Sequence, residues 1–123
     1  MEVILDTNFI ISCLMKKIDF LSELDALGFK PIVPREVLQE MKDLRISNKT
    51  SRLEKESINL AFEIIEKEKV KKMSLGQGIV DDALISRGKE GIFIATLDRG
   101  IKNKVPNRIV ISGAQKKLQI ERS

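Results

Sequence analysis

The chain has 123 residues, 42% of them hydrophobic and 33% charged, which suits one domain spanning 1–123 with a real core and excludes a disordered class. It contains no His and one Cys, so Ser-His-Asp and Cys-His catalysis, imidazole-based zinc sites and an internal disulfide are excluded. A net charge of +4 fits a polyanionic partner, and the absence of Trp and Tyr argues against recognition by base stacking.

In chain order, Val3-Ile4-Leu5 predicts a buried strand over 2–5 that ends in Asp6-Thr7-Asn8. Helices are predicted at 8–15 and 18–27, the second with Ile18, Leu21, Leu24 and Leu27 on one face and Gly28 at its end. Cys13 reads as a small apolar residue of the first helix. A strand at 30–33 follows, and Pro34 opens a helix to about Leu44. Residues 45–52 are polar and basic, an exposed loop that reads equally as a connector or as a phosphate-contacting flap. The longest helix, 51–69, is capped by Ser51 and places Leu53, Leu60, Ala61, Ile64 and Ile65 on one face. Then come a strand at 70–73, a helix at 79–88, a strand at 92–96, a helix at 99–104, a strand at 109–112 and an edge strand at 118–120.

Strands alternating with helices imply an α/β fold, a three-layer α/β/α sandwich around a mainly parallel sheet. No apolar stretch approaches the roughly 20 residues that span a bilayer. Residues 1–14 lack a basic leader region and contain Asp6, so neither a membrane partner nor a signal peptide is expected, and the reading is cytoplasmic.

The chemistry lies in the carboxylates. Asp6 follows one apolar strand, and Asp98 follows Ile92–Thr96 in the same way. In open α/β sheets, ligands bind just beyond the carboxyl ends of the strands. Each aspartate alone reads equally well as a helix cap; the pair at one sheet edge favours a site. Glu40 lies about 40° from Leu44 on the border of the stripe formed by Val37, Leu38, Met41 and Leu44, at about 100° per residue. Periodicity alone favours an exposed glutamate there, and Glu36 and Asp43 share its sector. Asp81-Asp82 opens a helix, where the dipole favours an acid, and the helical wheel does not choose between the two.

Carboxylates gathered in one pocket would resist joint ionisation, and a divalent cation removes that conflict. Oxygen-only ligands suit Mg²⁺ or Mn²⁺, as one ion with retained waters or as a pair flanking a phosphate.

Val3–Asn8, Val33–Glu40, Asp81–Ile85 and Ile94–Asp98, in that order over nearly the whole chain, resemble the motifs of the PIN domain family of small metal-dependent ribonucleases. The resemblance implies a Mg²⁺/Mn²⁺-dependent endoribonuclease. Asp6, Glu40, Asp82 and Asp98 would be its catalytic and metal-holding acids, and Asp81 an additional acid. Asp82 is preferred because the family places an Asp before Ala-Leu-Ile-like residues. Asn8 and Thr96 would orient carboxylates. Lys42, Arg45, Lys49, Arg52, Arg99, Lys102 and Lys104 are candidates for RNA phosphate contacts. The double aspartate and the Thr96–Lys102 segment look like the ribosomal-RNA-processing branch, and the toxins of toxin–antitoxin pairs are the alternative. The partners implied are RNA, a second copy in a homodimer, and an antitoxin or a ribosome-assembly protein. A non-catalytic RNA-binding assembly module is the rival reading. A phosphoryl-transfer domain fits less well: Asp6-Thr7-Asn8 lacks a second aspartate two residues on, and the acid pair opens a late helix rather than following the first strand.

Overall fold

A computed structural model describes residues 1–122. The chain runs β1 (Glu2–Leu5), α1 (Thr7–Met15), α2 (Phe20–Ala26), β2 (Lys30–Pro34), α3 (Arg35–Ile46), α4 (Arg52–Lys67), β3 (Lys71–Met73), α5 (Val80–Lys89), β4 (Phe93–Ala95), α6 (Arg99–Lys102), β5 (Asn107–Ser112) and β6 (Lys117–Arg122). The strands form one sheet in the order β3-β2-β1-β4-β5-β6. All pairings are parallel except β5 with β6. This is the α/β architecture expected from the alternation of strands and helices.

Strand alternation assigns the faces. Val3, Leu5, Phe93 and Ala95 point to one side, where they pack with Phe9, Phe20, Val37, Met41, Ile58 and Ile65 from α1 to α4. Ile4 and Ile94 point to the other side, to Leu84 of α5 and Ile101 of α6. Helices therefore cover both faces, as a parallel sheet requires. The chain moves outward from β1 to β2 and β3, then returns to β4 on β1's other side. The strand order thus reverses between β1 and β4, the kind of crevice where α/β folds bind ligands.

Several boundaries differ from the sequence expectation. Helix α2 begins at Phe20 with Asp19 as its cap, so Ile18 is buried ahead of the helix and Leu27 is largely exposed. The buried stripe of α4 is Ile58, Ala61 and Ile65, while Leu53 and Leu60 are exposed. Leu60 and Ile58 lie about 200° apart on a helix, so one wheel cannot bury both. Pro34 ends β2 and sits at the N-cap of α3, not inside it. Arg45 and Ile46 extend α3 and Arg52 starts α4, which shortens the basic connector to residues 47–51. Ser51 does cap α4: its hydroxyl accepts the Glu54 N–H at 3.2 Å and donates to the Glu54 carboxylate at 2.9 Å. No described helix is long and apolar enough to cross a membrane.

Candidate functional site

The parallel register brings Asp6 and Thr96 together. Leu5 pairs with Ala95, and the Asp6 N–H bonds to the Ala95 carbonyl at 2.9 Å. One residue separates β1 from α1, and three separate β4 from α6. Asp6 Oδ1 accepts the Thr7 N–H at 2.9 Å as the N-cap of α1. Asp98 Oδ1 accepts the Ile101 N–H at 3.0 Å as the N-cap of α6. The Thr96 hydroxyl lies between them: it donates to Asp6 Oδ2 at 2.8 Å and accepts the Asp98 N–H at 3.1 Å. Thr96 is fully buried and Asp6 is 7% exposed.

Electrostatics shows which other acids converge. Burial holds the Asp6 carboxyl above its ordinary range, against the lowering effect of the Thr96 and Thr7 hydrogen bonds, and the charges of Asp81 and Asp98 push it further up. Glu40 is raised by burial of its carboxyl, although the residue as a whole is exposed, and then by Asp6, Asp81 and Asp43. Asp81 thus bears on Asp6 and Glu40, and Asp98 on Asp6, each acid on the segment leaving a different strand among four neighbours, β3-β2-β1-β4.

Of the acid pair, Asp81 is the member whose charge bears on both Asp6 and Glu40. Asn8 is exposed and makes no side-chain hydrogen bond among the described residues, so its expected orienting role has no contact behind it. Its neighbour Thr7 stands closer to the chemistry. The Thr7 hydroxyl faces Glu40 but falls short of a hydrogen bond, which leaves this buried oxygen without a partner. Glu36, a competitor of Glu40 by periodicity, turns instead to Leu75. Asp43 accepts from the Gln39 amide at 3.0 Å. Both Thr7 and Glu36 were visible in the sequence, but nothing in their spacing set them apart.

Of the cations, Lys42, Lys49, Arg99 and Lys104 are exposed and unpaired among the described residues, and Lys102 is half-buried. Arg52 pairs with Glu56 at 3.2 Å. The Arg45 guanidinium bonds Asn59 at 3.3 Å and lies 4.9 Å from the centre of the Phe62 ring, an inter-helix contact that already engages it. A cavity of about 860 Å³ lies at the opposite end of the sheet, where Glu2, Lys30 and Lys71 begin their strands; none of the candidate acids lines it.

A family model described as a PIN like domain matches residues 3–113. The chain belongs to the PIN-like domain family. Among solved structures it is similar to the PIN domain endonuclease Utp24, with 24% identity and a TM-score of 0.76 over 99% of this chain and 92% of that one. No curated protein matches it.

The donors of this PIN-like site fit a divalent ion of a particular kind. They are oxygens only, and none of the acids at the site has an ion-pair partner among the described residues, although the chain is basic. Among the described residues, no group of three His, Cys, Asp or Glu is close enough to enclose a metal. Oxygen donors are the kind that Mg²⁺ and Mn²⁺ take, one or two carboxylates directly and the rest through retained waters. The unpartnered Thr7 hydroxyl adds a further oxygen beside Glu40.

Proposed function

We propose that the protein is a Mg²⁺- or Mn²⁺-dependent endoribonuclease, acting as one domain in the cytoplasm. The observation that carries this reading is the convergence of Asp6, Glu40, Asp81 and Asp98, without cationic partners, at the strand ends of a chain with net charge +4. When bound, the ion would make a coordinated water more acidic than bulk water and offset charge at the phosphate. Asp6 and Asp98 would hold the ion, their carboxylates already fixed by the Thr7 and Ile101 N–H groups and by Thr96. Glu40 and Asp81 would orient water around it, and Asp82 would lie outside the reacting group. Lys42, Lys49, Arg99, Lys102 and Lys104 would draw the RNA backbone to the strand ends and set its register without reading sequence.

Cleavage of RNA with Mn²⁺ by the wild type, Asp6→Asn and Asp98→Asn tests the assignment. Loss in both variants is the expected result, and cleavage that survives both changes refutes it. We further propose a ribosomal RNA precursor as the substrate, on the Asp81-Asp82 pair and the Thr96–Lys102 segment. Crosslinking and sequencing of the bound RNA checks this, and an antitoxin-like reading frame beside the gene would favour the toxin alternative.

A further inference from the structure

Glu36 stands in the first turn of α3, one helical turn before Glu40, but its carboxylate leaves the acid cluster and reaches the segment between β3 and α5. Its two oxygens accept the Leu75 N–H at 3.0 and 3.2 Å, and Oε2 accepts the Ser74 hydroxyl at 3.2 Å. The Ser74 hydroxyl in turn accepts the Gly76 N–H at 3.3 Å. These contacts hold the carboxyl below the usual glutamate range, with the Leu75 N–H as the largest cause, so it is ionised at neutral pH.

The segment needs such a hold. Gly76 and Gly78 sit at φ +91° and +108°, a region glycine enters freely but at a high entropy cost on ordering. Helix α5 then starts without a side-chain cap, because its N-cap is Ile79, which is 68% exposed. The other anchor is the Leu75 side chain, buried with Leu84, Ile4 and Ile94. Among the described residues, no side chain from outside the segment other than Glu36 hydrogen-bonds to residues 74–79. Two residues beyond Ile79 stands Asp81, the acid that bears on both Asp6 and Glu40.

We propose that Glu36 is a positioning residue: it fixes the Ser74–Ile79 segment, sets Asp81 opposite Asp6 and Glu40, and so tunes the affinity of the cluster for a divalent ion. This rests on the reading above that the cluster takes such an ion. One carboxylate of α3 thereby ties the strand-end acids of β1 and β2 to the helix that follows β3.

The full chain and its Glu36→Gln variant are titrated with Mn²⁺, free ion being read by electron paramagnetic resonance, and backbone hydrogen exchange is followed in parallel. Glu36→Gln is expected to raise the Mn²⁺ dissociation constant about 3- to 10-fold, at or below the low end of what losing a partner of a ligating side chain costs. Exchange at Leu75 and Gly76 should accelerate. Ser74→Ala, which removes the hydroxyl's bonds to Glu36 and from the Gly76 N–H but keeps the Leu75 tie, should move both readouts less in the same direction and serves if Glu36→Gln fails to fold. Glu63→Gln, an exposed charge on α4, should leave the affinity within about twofold. Faster exchange with unchanged Mn²⁺ affinity would reduce Glu36 to a loop anchor and overturn the proposal, as would unchanged exchange. A wild type that binds no Mn²⁺ overturns it together with the metal reading. A wild type that binds Mn²⁺ but cleaves no RNA removes the nuclease reading alone, and the affinity ratio still decides the role of Glu36.

Discussion

Replacing Thr96 by Val tests whether the hydroxyl between the two aspartates organises the site. Valine has nearly the same shape, so no cavity opens, and the change is confined to one oxygen. That oxygen donates to a buried carboxylate at 2.8 Å and accepts the Asp98 N–H at 3.1 Å. A hydrogen bond to a charged group contributes about 1.5–3 kcal/mol, and leaving a partly buried N–H unpaired costs about 1 kcal/mol more. The expected loss is therefore about 2.5–4 kcal/mol at pH 7, a large share of the roughly 5–15 kcal/mol that stabilises a domain. Urea unfolding followed by far-ultraviolet circular dichroism measures it, since the chain has no Trp. Thr96→Ser keeps the oxygen and should lose only about 1 kcal/mol. In an Asp6→Asn background the penalty should fall by about half, because the acceptor is then neutral.

The pH dependence has a definite sign. The native pKa of Asp6 already lies above its ordinary 3.8, so ionising Asp6 works against folding. Stability from this group is lost as pH rises through the native pKa, and it returns as pH falls. Removing the Thr96 hydroxyl raises that native pKa further, so the penalty of Thr96→Val should be full at pH 7 and shrink on acidification. A penalty under about 0.5 kcal/mol, or one unchanged by Asp6→Asn, would refute a charge-assisted bond at this position.

Asp81→Asn should lower the native pKa values of both Asp6 and Glu40 and abolish Mn²⁺-dependent cleavage, whereas Asp82→Asn should leave both largely unchanged; carboxyl titration by nuclear magnetic resonance and an RNA cleavage assay check this. Gly88→Ala would place a Cβ 2.3 Å from Val105 Cγ1, so the roughly 1 kcal/mol gain in helix propensity should be overwhelmed and the fold weakened by about 1–2 kcal/mol; adding Val105→Ala should recover part of that in urea unfolding. Burial pushes the Cys13 thiol up to about 12, so it should stay silent to a disulfide reagent at pH 8 and react only at the rate of unfolding.

The layered fold was legible because its signals are local. Apolar runs ending in turn residues marked the strands, and Ser51 marked the start of α4. The errors came where periodicity has no phase reference. Leu60 and Ile58 are equally apolar, and only tertiary contact decides which of them faces the sheet. The same limit governs the site. Asp6 and Asp98 could be placed from the strands they follow, one residue past β1 and three past β4. Asp81 and Asp82 could not be separated on a wheel: the choice depends on how the Ser74–Ile79 segment aims α5, and that is set by Glu36, far away in sequence. Thr7 was hidden for a related reason, because a buried hydroxyl without a partner has no sequence signature.

In the sequence, a helix cap and a site acid were competing explanations for Asp6 and Asp98; in the structure both are helix caps, and the proposed site role is compatible with capping. A parallel strand that turns directly into a helix puts the capping residue at the sheet edge, beside the positive end of the helix dipole. Capping engages one carboxylate oxygen of Asp98 and holds its angle, so orientation is fixed before any ligand arrives. At Asp6 the cap and Thr96 engage both oxygens, so that carboxylate is the more rigidly held. Asparagine caps a helix about as well as aspartate. Asp6→Asn and Asp98→Asn therefore remove charge while keeping the turns, and at Asp6 neutralisation also relieves a carboxylate whose ionisation opposes folding. Activity lost with stability held or gained would assign these residues to chemistry, whereas activity and stability lost together would leave them as caps.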